Sequence, residues 1–275
     1  MSERSNSIDR RSYLKLSGVA GIGTVGLAGC LEDTGDGDGD GGDDGDGGDG
    51  GDGDDNQIVA GTAPGFRPFE MNEDGELVGF DVDHLEAVVD ETDYELTSWE
   101  EFEFDTLIQA LNNGNIDVIA AAMTINDERR EQIAFTDPYY SADQSVLVQT
   151  GGGFQPSDLD DLAGRTVGAQ SGTTGEGIIE DEVEDPDYRS YENYVYAVEE
   201  LEQGRIEAIV IDQPVAESFE ANREVEIAFT FETGEEYGLG VRQDADDLRE
   251  ALNEGIAAVQ ESGEYEEITR KWFDE

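Results

Sequence analysis

The chain has one cysteine, one histidine and only 15 basic residues in 275, and it contains no uncharged run long enough to cross a membrane as a helix. The single cysteine, Cys30, excludes an intrachain disulfide, so its position is more informative than its redox state. The single histidine, His84, argues against a histidine-based metal centre. It falls in the stretch Asp81 to Glu91, read as an amphipathic helix, where a surface or half-buried histidine is expected. Against the 15 Lys and Arg stand 69 Asp and Glu, a formal net charge of −54. Nucleic-acid or anionic-membrane binding through a basic patch needs clustered Lys and Arg, and the sequence lacks them.

The imbalance persists from residue 57 onward, where 11 basic residues face 55 acidic ones and Lys271 is the only lysine. Self-repulsion on that scale is tolerable where salt screens it, the Debye length being about 3 Å at 1 M. This part resembles the lysine-poor, acidic proteins of halophilic archaea, which implies a salty habitat and no particular activity.

The first 56 residues read as export and tether. Arg10, Arg11, Ser12, Tyr13, Leu14 and Lys15 form a twin-arginine pattern, and the uncharged stretch from Leu16 to Gly29 is too short to span a bilayer. Leu27, Ala28, Gly29 and Cys30 resemble a lipobox, whose cysteine becomes the lipidated N-terminus. Residues 1–30 are therefore expected to be a twin-arginine lipoprotein signal peptide, with Cys30 the lipidation site and the protein held at the extracellular face of the cell membrane. Residues 31–56 hold twelve acids, eleven glycines and no basic residue, a composition that buries no core and reads as a disordered tether. Asp36, Asp38, Asp40 and Gly41 match the opening of a calcium loop, but Gly47 stands where such a loop needs its bidentate Glu. No metal site is expected.

From Gln57 onward short apolar runs alternate with helix-like segments. Runs at 58–61, 107–111, 116–121, 146–148, 166–169 and 208–211, with helices expected over 81–91, 104–112, 173–181, 195–203, 214–221, 246–261 and 265–273, predict an α/β protein with largely parallel sheets. Gly114 and Gly204 each close a helix before an Ile–acid pair and a strand (Ile116, Asp117; Ile206, Glu207), one local unit used twice.

Candidate binding chemistry centres on charge. Arg129 offers a planar fork suited to a carboxylate, although Arg129 and Arg130 also read as a solvated helix start after Asn126 and Asp127. Asp212 ends an apolar strand at the carboxyl edge where open α/β sheets bind ligands, and reads equally as an N-cap for the helix that begins near Pro214. Gln170, Ser171, Gly172, Thr173 and Thr174 join a strand to a helix whose free N–H groups suit an anion, or form an ordinary capped turn.

Six blocks in order resemble the polar amino-acid binding proteins of ABC importers, solute-binding family 3. They are residues 66–69, Phe-Arg-Pro-Phe; 79–83, Gly-Phe-Asp-Val-Asp; 104–111; 123–129, Met-Thr-Ile-Asn-Asp-Glu-Arg; 135–140, Phe-Thr-Asp-Pro-Tyr-Tyr; and Lys271, Trp272, Phe273. The resemblance implies the type II periplasmic-binding fold, two α/β lobes joined by a two-strand hinge, with 57–140 plus 236–275 as lobe 1 and 141–235 as lobe 2. It implies a free amino acid as ligand, an ABC permease as partner, no cofactor, a monomer and closure of the lobes on the ligand. It also assigns roles. Arg129, Thr124, the Ala122 backbone and Thr173 or Thr174 would hold the ligand carboxylate, Asp212 its ammonium, and Phe66 and Phe104 its side chain.

The departures bear on specificity. Ala63 stands where relatives that bind basic side chains carry an acid, and Gln170 and Ile211 stand where a glutamine binder has a lysine and a histidine. The expected pocket thus carries no formal charge beyond the clamp for the zwitterion, which predicts a neutral amino acid. Arg67, adjacent to Phe66, is the one nearby cation that could alter that. Two other classes use this fold. A prephenate or arogenate dehydratase-like enzyme would need a dedicated catalytic pair, and no nucleophile motif or metal cluster accompanies the abundant acids. A sensor domain of a receptor would need a second membrane segment, which the sequence does not contain. The chain is therefore expected not to be an enzyme.

Overall fold

The computed structural model describes residues 56–273. The twin-arginine pattern, Cys30 and the Asp/Gly stretch lie outside the described residues.

In chain order the elements are β1 (Gln57–Thr62), β2 (Met71–Glu73), β3 (Glu76–Val78), α1 (Phe80–Asp90), β4 (Glu95–Glu101), α2 (Leu107–Asn112), β5 (Val118–Ile119), α3 (Asp127–Arg130), β6 (Ala134–Phe135) and β7 (Tyr140–Gln149). There follow β8 (Thr166–Gln170), α4 (Thr174–Glu182), β9 (Asp187–Tyr191), α5 (Tyr194–Glu202), β10 (Ala208–Asp212), α6 (Gln213–Asn222), β11 (Val225–Tyr237), β12 (Gly240–Val241), α7 (Asp246–Ser262) and α8 (Glu264–Phe273).

The repeated helix–glycine–strand unit organises both halves. Gly114 and Gly204 adopt left-handed φ of 74° and 65°, as a residue without Cβ does at little cost. After α2, the N–H of Gly114 returns to Leu111 O and that of Asn115 to Ala110 O. After α5, Gly204 returns to Leu201 O and Arg205 to Glu200 O. Both sets satisfy carbonyls the helix end leaves free. The isoleucine that follows is buried in each case (Ile116, Ile206), a contribution of about 1.5–3 kcal/mol apiece. The acid after it serves the neighbouring parallel strand: Asp117 accepts from Val59 N–H at 2.9 Å and Glu207 from Thr166 N–H at 3.1 Å. Each acid also holds an arginine, Arg242 or Arg165.

These units build two sheets. The first has the order β4-β1-β5-β12-β6, with β1 parallel to β4 and β5 and β12 antiparallel to β5 and β6. The second has the order β11-β7-β10-β8-β9, with β10, β8 and β9 parallel and β7 antiparallel to both β10 and β11. The expected largely parallel character therefore holds only around β1 and β8. Strands β7 and β11 pair directly as long antiparallel partners, which needs no crossover helix. Their ends at Tyr140 and Tyr237 reach the first lobe, where Tyr139 N–H donates to Tyr237 O and Gly238 N–H to Met123 O. The result is two α/β lobes joined by these two strands.

Two local expectations are corrected. Residues 107–111, one of the expected apolar runs, belong to a helix, and the start of that segment is a 3-10 turn at Phe104–Thr106 rather than α-helix. His84 is fully buried: it stacks on Phe80 (5.6 Å) and lies 4.7 Å from the Tyr139 ring, because α1 is covered by both α7 and α8. Burial pulls its pKa down to about 4 and neither ring nitrogen has a partner among the described residues, so it is a neutral packing residue. At the C-terminus Lys271 Nζ and Trp272 Nε1 both donate to Asp83 (2.6 and 2.7 Å), fastening α8 onto α1.

Candidate ligand site between the lobes

A small cavity lies between the lobes, lined by Ala63, Phe66, Glu70, Phe104, Ala122, Thr124, Arg129, Gln170, Thr173, Thr174 and Asp212. All nine residues singled out from the sequence are in that wall.

Each is placed by local chemistry. Asn126 caps the short helix α3, its Oδ1 accepting from Arg129 N–H at 2.9 Å, and this turn swings the Arg129 side chain inward. Arg129 is 6% exposed; Nη1 donates to Thr124 O (2.7 Å) and Nη2 to Gly172 O of the opposite lobe (3.0 Å), while the guanidinium lies 5.3 Å from the Phe104 ring. Burial lowers its pKa, opposed chiefly by the charges of Glu235 and Asp212. The solvated-helix reading of Arg129 is thereby excluded, whereas Arg130 is exposed.

Ala122 holds a left-handed φ of 45°, a strained conformation for a residue with a Cβ, and its N–H donates to Asp81 Oδ2 at 2.6 Å. Asp81, deep behind the cavity, also accepts from Tyr139 OH (2.7 Å), and burial raises its pKa to about 7.

Asp212 sits at the N-cap position of α6 but its side chain makes no cap bond. Its Oδ1 instead accepts from the buried Tyr237 OH at 2.6 Å, leaving the carboxylate on the cavity wall. Burial, then the charge of Glu235, push its pKa up to about 7. Thr173 does form an ordinary cap: its hydroxyl donates to Gln170 O (2.8 Å) and accepts from Glu176 N–H (3.3 Å), with Tyr194 OH at 3.2 Å. Thr174 begins α4, so its N–H is one of the helix's free donors. The hydroxyls of Thr124 and Thr174 both reach Glu235 Oε2, at 2.7 and 2.9 Å.

Phe66 is carried by a tight loop in which Gly65 and Phe66 N–H both donate to Glu70 O. Gly79 packs against this loop so closely, at φ 149°, that a Cβ there would lie 1.9 Å from Phe69 O. The ring of Phe66 meets Tyr194 of the other lobe at 5.7 Å. Ile211 is fully buried off the cavity wall, and Arg67 is paired with Glu73 and partly exposed, so neither bears on the cavity.

The residue that sequence reasoning missed is Glu70. It is 1% exposed, lines the cavity, and neither carboxylate oxygen has a hydrogen-bond partner among the described residues. Desolvation, followed by the charges of Asp81 and Asp212, raises its pKa well above the usual carboxylate range. The wall therefore carries one ionisable group beyond Arg129 and Asp212 that the sequence did not single out, seven positions after Ala63.

The comparison with known proteins agrees with this architecture. Residues 58–275 match the family model for bacterial extracellular solute-binding proteins, family 3. A probable histidine-binding protein of Campylobacter jejuni is 34% identical over 215 residues, covering 77% of this chain and 83% of the relative. An ancestral arginine-binding protein bound to arginine superposes with a TM-score of 0.74 at 34% identity, covering 79% of this chain and 98% of the other. An ancestral arginine-binding protein bound to glutamine gives 0.74 at 34%, covering 80% and 99%. A family of binding proteins, not enzymes, thus accounts for the whole described fold, and the chain belongs to the bacterial extracellular solute-binding proteins, family 3.

Proposed function

We propose that the protein binds a free amino acid with a cationic side chain outside the cell and delivers it to the permease of an ABC importer. Glu70 carries this reading. A zwitterion brings one cation and one anion, which Asp212 and Arg129 match; a third ionisable wall residue without a partner then calls for a third charge on the ligand. With a cationic side chain the charges pair one to one, carboxylate on Arg129, ammonium on Asp212, side chain at Glu70 between the Phe66 and Phe104 rings. A neutral side chain would leave Glu70 buried and unpaired, or force it to hold a proton. The names of the histidine- and arginine-binding relatives support the same choice over the neutral ligand expected from Ala63.

Lobe closure belongs to this function. Arg129 to Gly172, and Ser171 Oγ to Asp105 Oδ2 (2.9 Å), already join the lobes across the cavity mouth. Residues 57–140 plus 236–275 and residues 141–235 are proposed as the moving bodies, with the nine wall residues singled out from the sequence and Glu70 as the ligand contacts. Anchorage is proposed through lipid on Cys30, and Cys30→Ser is expected to release the protein into the medium.

Titration calorimetry at molar NaCl with arginine, lysine, histidine, glutamine, glutamate and leucine tests the reading. One cationic amino acid is expected to bind tightest at 1:1 stoichiometry. Glutamate or leucine as the tightest ligand would overturn it.

A further inference from the structure

We infer that Glu235 is a positioning residue that latches the closed lobes. It rests on amino-acid binding by this cavity and not on which amino acid is bound. Glu235 stands on β11, one of the two strands that join the lobes, next to the register break that separates Phe231 from Glu235 in its pairing with β7. Its Oε2 accepts from Thr124 Oγ1 at 2.7 Å and from Thr174 Oγ1 at 2.9 Å. Thr124 follows β5 in the first lobe and Thr174 opens α4 in the second, so a single oxygen on the connecting strand holds one hydroxyl from each. Parting the lobes must break at least one of these bonds.

The position relative to the cavity supports a latch. Thr124 and Thr174 line both the enclosed cavity and the wider cleft that leads to it, whereas Glu235 lines the cleft alone. The carboxylate therefore caps the cavity from outside. It is also the foremost charge favouring the Arg129 guanidinium, so it stays near the cation that holds the ligand without occupying the ligand's seat. Each threonine hydroxyl has one proton to give, and here it goes to Glu235. The ligand carboxylate is left to Arg129 and to backbone N–H groups such as that of Thr174, which is free at the helix start. The two threonines thus act in closing the site more than in the first capture of the ligand.

The test is stopped-flow kinetics on the full-length protein in molar NaCl, with L-arginine and L-glutamine as parallel probes. Glu235→Ala is expected to speed dissociation by about tenfold or more, the loss expected when one hydrogen bond to a charged acceptor no longer has to be broken to part the lobes, with the association rate unchanged. Glu235→Asp, too short to reach both threonines, should fall between, and Glu236→Gln, an exposed neighbour, should behave as the native protein. A merely structural role would instead lower the melting temperature of the ligand-free protein and leave dissociation alone. Unchanged dissociation in Glu235→Ala overturns the latch; so does slower dissociation, which would make the carboxylate a competitor of the ligand. Native protein that binds glutamine but not arginine contradicts the cationic reading only, and the same rate comparison is then made with glutamine.

Discussion

Replacing Glu70 by glutamine removes a charge at nearly constant shape and separates two energies that act in opposite directions. Without ligand, Glu70 is a buried acid with no partner among the described residues, held well above its usual pKa by desolvation and by Asp81 and Asp212. Glu70→Gln should therefore leave the ligand-free protein as stable as before, or more stable at alkaline pH, where the native side chain must ionise inside the fold. With arginine bound the sign reverses. The guanidinium then lies in the cavity without its counter-charge, and losing one member of a buried pair costs about 3–5 kcal/mol. At about 1.4 kcal/mol per factor of ten, arginine affinity should fall by about two to three and a half orders of magnitude. Glutamine can exchange an amide–carboxyl contact for an amide–amide one, and a neutral hydrogen bond is worth about 0.5–1.5 kcal/mol, so its affinity should change by no more than about tenfold. Calorimetry with both ligands at pH 8 in molar NaCl, beside thermal melts of the ligand-free proteins, reads all of these quantities. Arginine affinity within about threefold of native would refute the pairing of Glu70 with the ligand side chain.

Arg129→Ala and Asp212→Asn should each weaken binding of any amino acid by about 3–5 kcal/mol, because each leaves one end of the zwitterion buried and unpaired; near-native affinity in both would remove the clamp. Asp212, raised to about 7, must be ionised to hold the ammonium, so binding at pH 6 should expel a proton and affinity should drop about tenfold per pH unit below 7, seen as buffer-dependent heats in calorimetry. Ligand-free stability should fall as pH rises from about 4 to 7, since folded Glu70, Asp81 and Asp212 keep protons that the unfolded chain has released; His84, depressed to about 4, works the other way between about 4 and 6.5 but is one group against three, and a higher melting temperature at pH 8 than at pH 5.5 would contradict the assignment. Gly79→Ala should destabilise by about 1–3 kcal/mol and weaken binding as well, because its Cβ would displace the Phe69 carbonyl and the loop carrying Phe66 and Glu70; urea unfolding and calorimetry check the two effects.

What could be read from the sequence was mostly local. The Gly114 and Gly204 units were legible because a helix C-cap is decided by a few adjacent residues, and both take the left-handed conformation that cap requires. Phe66, Phe104, Thr124 and Arg129 lie in blocks whose order resembles a family, Ala122 flanks one of them, Asp212 and the turn at 170–174 were read from a strand end and a helix start, and the structure brings all nine to one cavity. What stayed hidden depends on the tertiary arrangement. Among 69 acids Glu70 has no contrast in sequence; what distinguishes it is burial, set by a loop that Gly79 backs and that faces Asp212 across the cavity. Strands β4 and β9, Glu95–Glu101 and Asp187–Tyr191, sit at sheet edges with polar outer faces and show no apolar run. The side chain of Asp212 had two local readings, cap or ligand contact, and only the position of Tyr237, 25 residues away, decides against the cap bond.

The claim that three charges in the cavity match three on the ligand is tested most directly by a crystal structure of the protein grown with arginine. It should show the carboxylate on Arg129, the ammonium on Asp212 and the guanidinium within hydrogen-bond distance of Glu70, between the rings of Phe66 and Phe104. Arginine bound with its guanidinium turned away from Glu70, or a closed cavity that excludes it at saturating concentration, would contradict the account.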